Sequence, residues 1–317
     1  MAVWHLTSEV NKWTLPVLRS DWHVRGFRNT GRPNQGGVRI HGRHGGNGPP
    51  LLLLHGNPMT HVTWHKLVPE LSQHFHVVAT DLRGYGDSSA PPPGDNNINY
   101  SFRAMADDQV QVMHRLGFER FYVVGHDRGA RVAHRTALDH PGFVDKVALV
   151  DILPNHYIWN NVSREWAQES WHWVFMTQPE GFPERMMGAV PAEWFMTQKL
   201  SKPGIGLDFM DKAVFAEYVR CFNEKTIRGS CADYRACITC DLDMDTADFE
   251  AGHKIEMPAL AMWGMNSHTG KVYGDVLAIW RQYATNVRGG AVDCGHYLQE
   301  EAPQETLRWF MEFFRES

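Results

Sequence analysis

No apolar run in this chain is long enough to cross a membrane, and Met1 to Trp13 lack the basic-then-apolar order of a signal peptide. A cytoplasmic location is the expectation. Excess positive charge is missing too: a balance of −5 gives nucleic acid or an anionic membrane no reason to bind. Cysteine is sparse, with five residues. Cys237 and Cys240 form a Cys-x-x-Cys, but no second pair follows and no strand leads into it, so reduced thiols are expected rather than a zinc or redox site. The 18 histidines are scattered. Neither His41 with His44 nor His61 with His65 has the spacing and company of a ligand set, and no metal is expected. Repeats and low-complexity segments are absent. What is present is ordinary for a globular chain: 317 residues, 43% hydrophobic and 21% charged, suit one large domain or a domain carrying an inserted module.

The stretch that organises the rest is Val123-Val124-Gly125-His126-Asp127-Arg128-Gly129-Ala130-Arg131. Apolar and aromatic residues 121–124 run into Gly-x-Asp-x-Gly, and a helical pattern follows. That is the layout of a nucleophile elbow, a strand-to-helix turn that lifts one side chain above a parallel sheet. The raised residue is Asp127. A carboxylate is ionised at neutral pH and needs no base before it attacks a carbon atom.

Around the elbow, strands are expected at 37–44, 51–54, 75–79, 147–150 and 258–264, with a last strand ending at Gly295-His296. Helical spacing marks 100–116, 271–283 and 302–314. Strands alternating with helices give an α/β fold, a mostly parallel sheet covered on both faces. Residues 153–248 break this pattern. They are rich in Trp, Met and Phe and punctuated by proline, and read as a helical cap inserted over the sheet. The core is then 37–152 and 249–317, and residues 1–36 form an arm without an assigned role. Its Trp4, Trp13 and Trp22 are expected to pack on the core or on a second subunit.

Chemistry gathers at the carboxyl ends of parallel strands. Asn57, Asp127 and Asp151 fall there, and His296 follows the last strand. Asp127 then His296 is the chain order of an α/β-hydrolase nucleophile and base. An acid must orient the base and stabilise its charged form. The loop after Trp263-Gly264 offers Met265, Asn266 and Ser267 but no carboxylate, so Asp151 is the candidate. Arg128 and Arg131, three apart on the elbow helix, share a face beside the nucleophile. Two guanidinium groups there suit a carboxylate substrate.

His55-Gly56-Asn57-Pro58, the segment from Asp81 to Ser88, Gly125 to Arg131, Asp151-Ile152-Leu153-Pro154 and Gly295-His296 resemble the fluoroacetate (haloacetate) dehalogenases, from about Gly37 to the C-terminus. The resemblance implies an α/β-hydrolase fold with a cap. It also implies hydrolysis of a haloacetate to glycolate and halide through an ester on Asp127, without metal or organic cofactor, and often a homodimer. Arg128 and Arg131 match the arginines that hold the substrate carboxylate. His172-Trp173 matches the halide-binding pair, and Tyr234 the tyrosine that joins it. The backbone N–H groups of Asn57 and Arg128 match the oxyanion donors. One position departs: Asn57 stands where these enzymes usually have Phe, as in the haloalkane dehalogenases, yet the Trp that follows the nucleophile in that family is Arg128 here. The rivals are an epoxide hydrolase or haloalkane dehalogenase with the same nucleophile, and a non-catalytic receptor that keeps the fold.

Overall fold

The computed structural model describes residues 18–25, 38–202 and 204–316, with side chains from residue 38 onward. Among the described residues eight strands form one sheet: β1 (Leu18–Arg25), β2 (Arg39–Gly45), β3 (Pro50–Leu54), β4 (His76–Thr80), β5 (Phe121–His126), β6 (Val144–Val150), β7 (Ala259–Gly264) and β8 (Val287–Val292). Their order is β1-β2-β4-β3-β5-β6-β7-β8. β1 with β2 and β2 with β4 run antiparallel; every other pairing is parallel.

The central strands are apolar at nearly every position because both faces are covered. Leu52 and Leu54 of β3 and Val147 and Leu149 of β6 pack on the side that holds Met105 and Ala133. Leu51 and Leu53, with Ala148 and Val150, pack on the other side with Phe310 and Phe314. The helices Phe102–Arg115 and Arg128–Asp139 cover the first face, and Pro303–Arg315 covers the second. Among the described residues between β6 and β7 lie eight helices and no strand of the sheet, from Asn155–Asn160 to Cys240–Glu250. The inserted helical cap is therefore present.

Two expectations need correction. The helix expected over 271–283 is two short helices, His268–Val272 and Val276–Trp280. Tyr273 is extended and Asp275 caps a fresh start by accepting from the Ala278 N–H, which apolar spacing cannot reveal. The last strand stops at Val292, so His296 sits on a loop beyond it rather than at its end. The arm to which no role is assigned contains an edge strand, Leu18–Arg25, among its described residues. Its alternation of Leu18, Ser20, Trp22 and Val24 with charged or polar neighbours was a strand signal. Trp4 and Trp13, and the side chain of Trp22, lie outside the described residues.

Candidate active site

Crowding of backbone builds the elbow. A Cβ at Gly125 would strike the Gly129 carbonyl, and one at Gly129 would strike the Leu54 carbonyl. Both places demand glycine. Asp127 between them has φ 51° and ψ −118°, a region that costs a non-glycine residue energy and is held by the surrounding packing. The carboxylate is lifted to the sheet's carboxyl edge, where the Asn57 N–H donates to Oδ1 at 2.8 Å. The N–H of Arg128, the other expected oxyanion donor, makes no bond to this carboxylate among the described residues.

His296 faces Asp127 from the opposite side, with Nε2 3.9 Å from Asp127 Oδ2. Its Nδ1 lies 2.5 Å from Asp151 Oδ2. The other Asp151 oxygen accepts from the Gly264 N–H at 2.8 Å and the Ser267 hydroxyl at 2.7 Å. The structure thus brings Asp127, His296 and Asp151 together in that order. Burial alone would raise the Asp127 carboxyl, but the charges of His296, His126 and Arg128 and the Asn57 bond outweigh it and hold Asp127 well below the usual carboxylate range. Burial lowers His296, but its bond to Asp151 and the two carboxylate charges win, so the imidazole is more basic than an ordinary histidine.

The two arginines differ. Arg131 is buried, donates Nη1 to the Leu153 carbonyl at 3.0 Å and lies 4.6 Å over the Trp173 ring. It has no carboxylate partner among the described residues, and its Nε is unsatisfied. Arg128 is fully buried and bound twice to the Asp233 carboxylate, through Nε at 2.9 Å and through Nη2. Tyr85 also donates to Asp233, at 2.6 Å. Only Arg128 Nη1 remains without a bond. Asp233 was missed, although it stands beside Tyr234 in the sequence; nothing local marks it as the partner of a residue on the elbow helix.

His172, Trp173 and Tyr234 converge from two cap helices, Trp171–Met176 and Glu224–Ile238. The Tyr234 ring centroid is 5.8 Å from that of His172 and 5.7 Å from that of Trp173. The Tyr234 hydroxyl and the Trp173 indole N–H make no hydrogen bond among the described residues. Burial first, then the Asp127 charge, pushes the Tyr234 phenol well above its ordinary value. It therefore stays a donor.

Further residues escaped the sequence reading. Lys199 reaches the site from the helix Ala192–Leu200; burial lowers its ammonium to about 7 against the raising effect of Asp127. His268 packs near His296, ring centroids 6.0 Å apart, and burial lowers it to about 4. Two groups of possible metal ligands occur among the described residues, His41 with His61 and Asp81, and Asp151 with His268 and His296. A hydrogen-bonded pair accounts for the closeness in each, His61 Nδ1 on Asp81 at 2.8 Å and His296 on Asp151. All five cysteines are free. No helix among the described residues is long and apolar enough to cross a membrane.

A carboxylate on a strand-to-helix elbow, a histidine–aspartate pair after the later strands and a helical cap are the layout of an α/β-hydrolase. The chain belongs to the alpha/beta hydrolase fold family, whose profile matches residues 49–201. It is 39% identical to a fluoroacetate dehalogenase of Burkholderia sp over 89% of this chain and 92% of that one. It is also 30% identical to a soluble epoxide hydrolase of Corynebacterium sp. (strain C12), over 88% of this chain and 94% of the relative. Among solved structures, a candidate alpha/beta hydrolase from Nostoc sp PCC 7120 superposes with a TM-score of 0.87 at 47% identity, covering 94% of this chain and 98% of its own.

Proposed function

We propose that the protein hydrolyses haloacetates, fluoroacetate or chloroacetate, to glycolate and halide. The observation that carries this reading is Arg131: a buried guanidinium beside the nucleophile with no carboxylate partner among the described residues, and with the free Nη1 of Arg128 near it. An anionic substrate answers that charge.

In the first step Asp127 Oδ2 attacks the halogen-bearing carbon, the carbon–halogen bond breaks with its electrons, and halide leaves. Donors from His172, Trp173 and Tyr234 take up the developing negative charge, in a site the cap keeps dry. In the second, His296 removes a proton from water and hydroxide adds to the Asp127 ester carbonyl. The oxyanion forms at the oxygen that accepts from the Asn57 N–H. On collapse the bond to the glycolate oxygen breaks, and that oxygen takes the proton back from the His296 imidazolium, which Asp151 has stabilised. The Asp127 carboxyl loses its own proton to water and returns as the carboxylate. The Asn57 side chain makes no hydrogen bond among the described residues, so its backbone carries its part.

Epoxide hydrolysis is the second reading, favoured by Tyr234, a neutral donor sensing Asp127, and by the 30% identical relative. An uncharged epoxide leaves Arg131 unanswered. Halide release from fluoroacetate, chloroacetate and a 1-chloroalkane, with epoxide loss followed in parallel, separates the two. For the mechanism, mass spectrometry of His296→Asn with chloroacetate should find a substrate adduct on the Asp127 peptide, and Asp127→Asn should form none. Turnover by Asp127→Asn, or an adduct elsewhere, ends the proposal.

A further inference from the structure

The loop that carries His296 is held on both flanks by one carboxylate. Glu301 Oε2 accepts from the Gly295 N–H at 2.7 Å and Oε1 from the Tyr297 N–H at 2.8 Å. The His296 carbonyl is bonded from below by His126 Nε2 at 2.8 Å. The histidine is thus fixed by its backbone and not only by Asp151. Glu301 has a second partner, and it comes from the cap: Lys202 Nζ donates to Oε1.

Lys202 arrives just after the helix Ala192–Leu200 that brings Lys199 to the site. Its ammonium lies 4.9 Å from the Phe209 ring and 5.2 Å from the Tyr297 ring, and those rings stack with centroids 5.6 Å apart and planes 7° off parallel. A side chain at Gly295 would collide with Lys202 Nζ, so glycine before the base leaves the room this ammonium occupies. The pair is largely shielded, Lys202 being 18% and Glu301 10% exposed, where an ion pair weakens less than at the surface.

We propose that Lys202 is a positioning residue, a latch through which the seated cap holds Glu301 and, through Glu301, sets the His296 loop for water activation. With the cap seated, the carboxylate is neutralised and pinned between two N–H groups. Without Lys202, Glu301 can swing toward water, and the backbone on both sides of His296 loses its anchor. The inference rests on the two-step reaction above, in which His296 acts only after halide has left. Losing the latch therefore spares the first step and slows the second.

The test uses the full chain with chloroacetate, measuring the halide burst, the steady-state rate, ester on Asp127 and the melting temperature. Lys202→Met should keep a burst near one halide per subunit, lose roughly ten- to a hundredfold in steady-state rate and accumulate the ester, at an unchanged melting temperature. Lys202→Arg, which keeps the charge, should recover most of the rate. If Lys202→Met loses the fold, Lys202→Gln carries the same test. A wild-type steady state in Lys202→Met, or burst and turnover falling together with the melting temperature, overturns the latch. His296→Asn run in parallel separates the two ideas. Ester in His296→Asn but not in Lys202→Met removes the latch alone, whereas no ester in either removes the reaction mechanism and the latch with it.

Discussion

Tyr234 shows how much one atom can decide. Its side chain is buried, its hydroxyl makes no hydrogen bond among the described residues, and burial and then the Asp127 charge push its phenol well above the usual value. A donor kept without an internal acceptor suits a leaving group that becomes an acceptor only as it departs. Fluoride needs this more than chloride, because its bond to carbon is stronger and its charge more concentrated. Tyr234→Phe should lower fluoroacetate turnover by about a hundredfold while chloroacetate turnover falls far less. Equal losses for the two substrates, measured as halide release, would mean that Tyr234 does not meet the leaving atom.

At the scale of the element, the short helix Leu298–Glu301 joins the His296 loop to the cap through two neighbouring carboxylates. Glu301 holds the loop. Glu300 is 1% exposed, accepts from Tyr218 of the cap at 3.0 Å and lies 3.7 Å from Lys66. Burial raises its carboxyl to about 7, against the lowering effects of Lys66, Tyr218 and Thr63. The folded value therefore stands above the ordinary 4.5, so the folded state prefers the proton. That contribution to stability is full below 4.5 and is lost as pH rises through about 7. Glu300→Gln, neutral at every pH, should gain melting temperature over the wild type by a few degrees between about pH 5 and about pH 9. Parallel melting curves across that range would show that Glu300 is already charged in the fold at low pH.

Over the whole molecule, the cap has an outer apolar surface that no described residue covers. Trp171 is 50% and Phe182 54% exposed, and Phe175 links them with ring centroids 5.9 Å and 6.2 Å away. A contiguous apolar patch of this kind marks an interaction surface. Together with the homodimer that the dehalogenase resemblance implies, it leads us to expect a dimer joined through the caps. Sedimentation should give twice 36.2 kDa for the wild type and 36.2 kDa for the double variant Trp171→Glu, Phe182→Glu. A monomeric wild type, or a double variant that stays dimeric, rejects this interface.

What the sequence determined by itself is whatever rests on near neighbours or on chain order. The elbow is legible because the crowding that demands Gly125 and Gly129 arises at a single turn, and the two-faced sheet because each central strand carries a run of apolar residues with no polar alternation. Elimination leaves Asp151 as the candidate acid, and its Oδ2 lies 2.5 Å from His296 Nδ1. Even β1 carries an alternation, with Leu18, Trp22 and Val24 set among polar residues, whereas the break at Tyr273 leaves no mark in the apolar spacing. Tertiary structure alone decided the pairings between residues far apart in the chain. Asp233 takes most of Arg128, 105 residues away, and leaves Arg131 as the unanswered charge. Lys202 crosses 99 residues to reach Glu301. The physical reason is that a buried charge must find a partner, but which one it finds depends on how the cap lies on the sheet, and no local pattern encodes that.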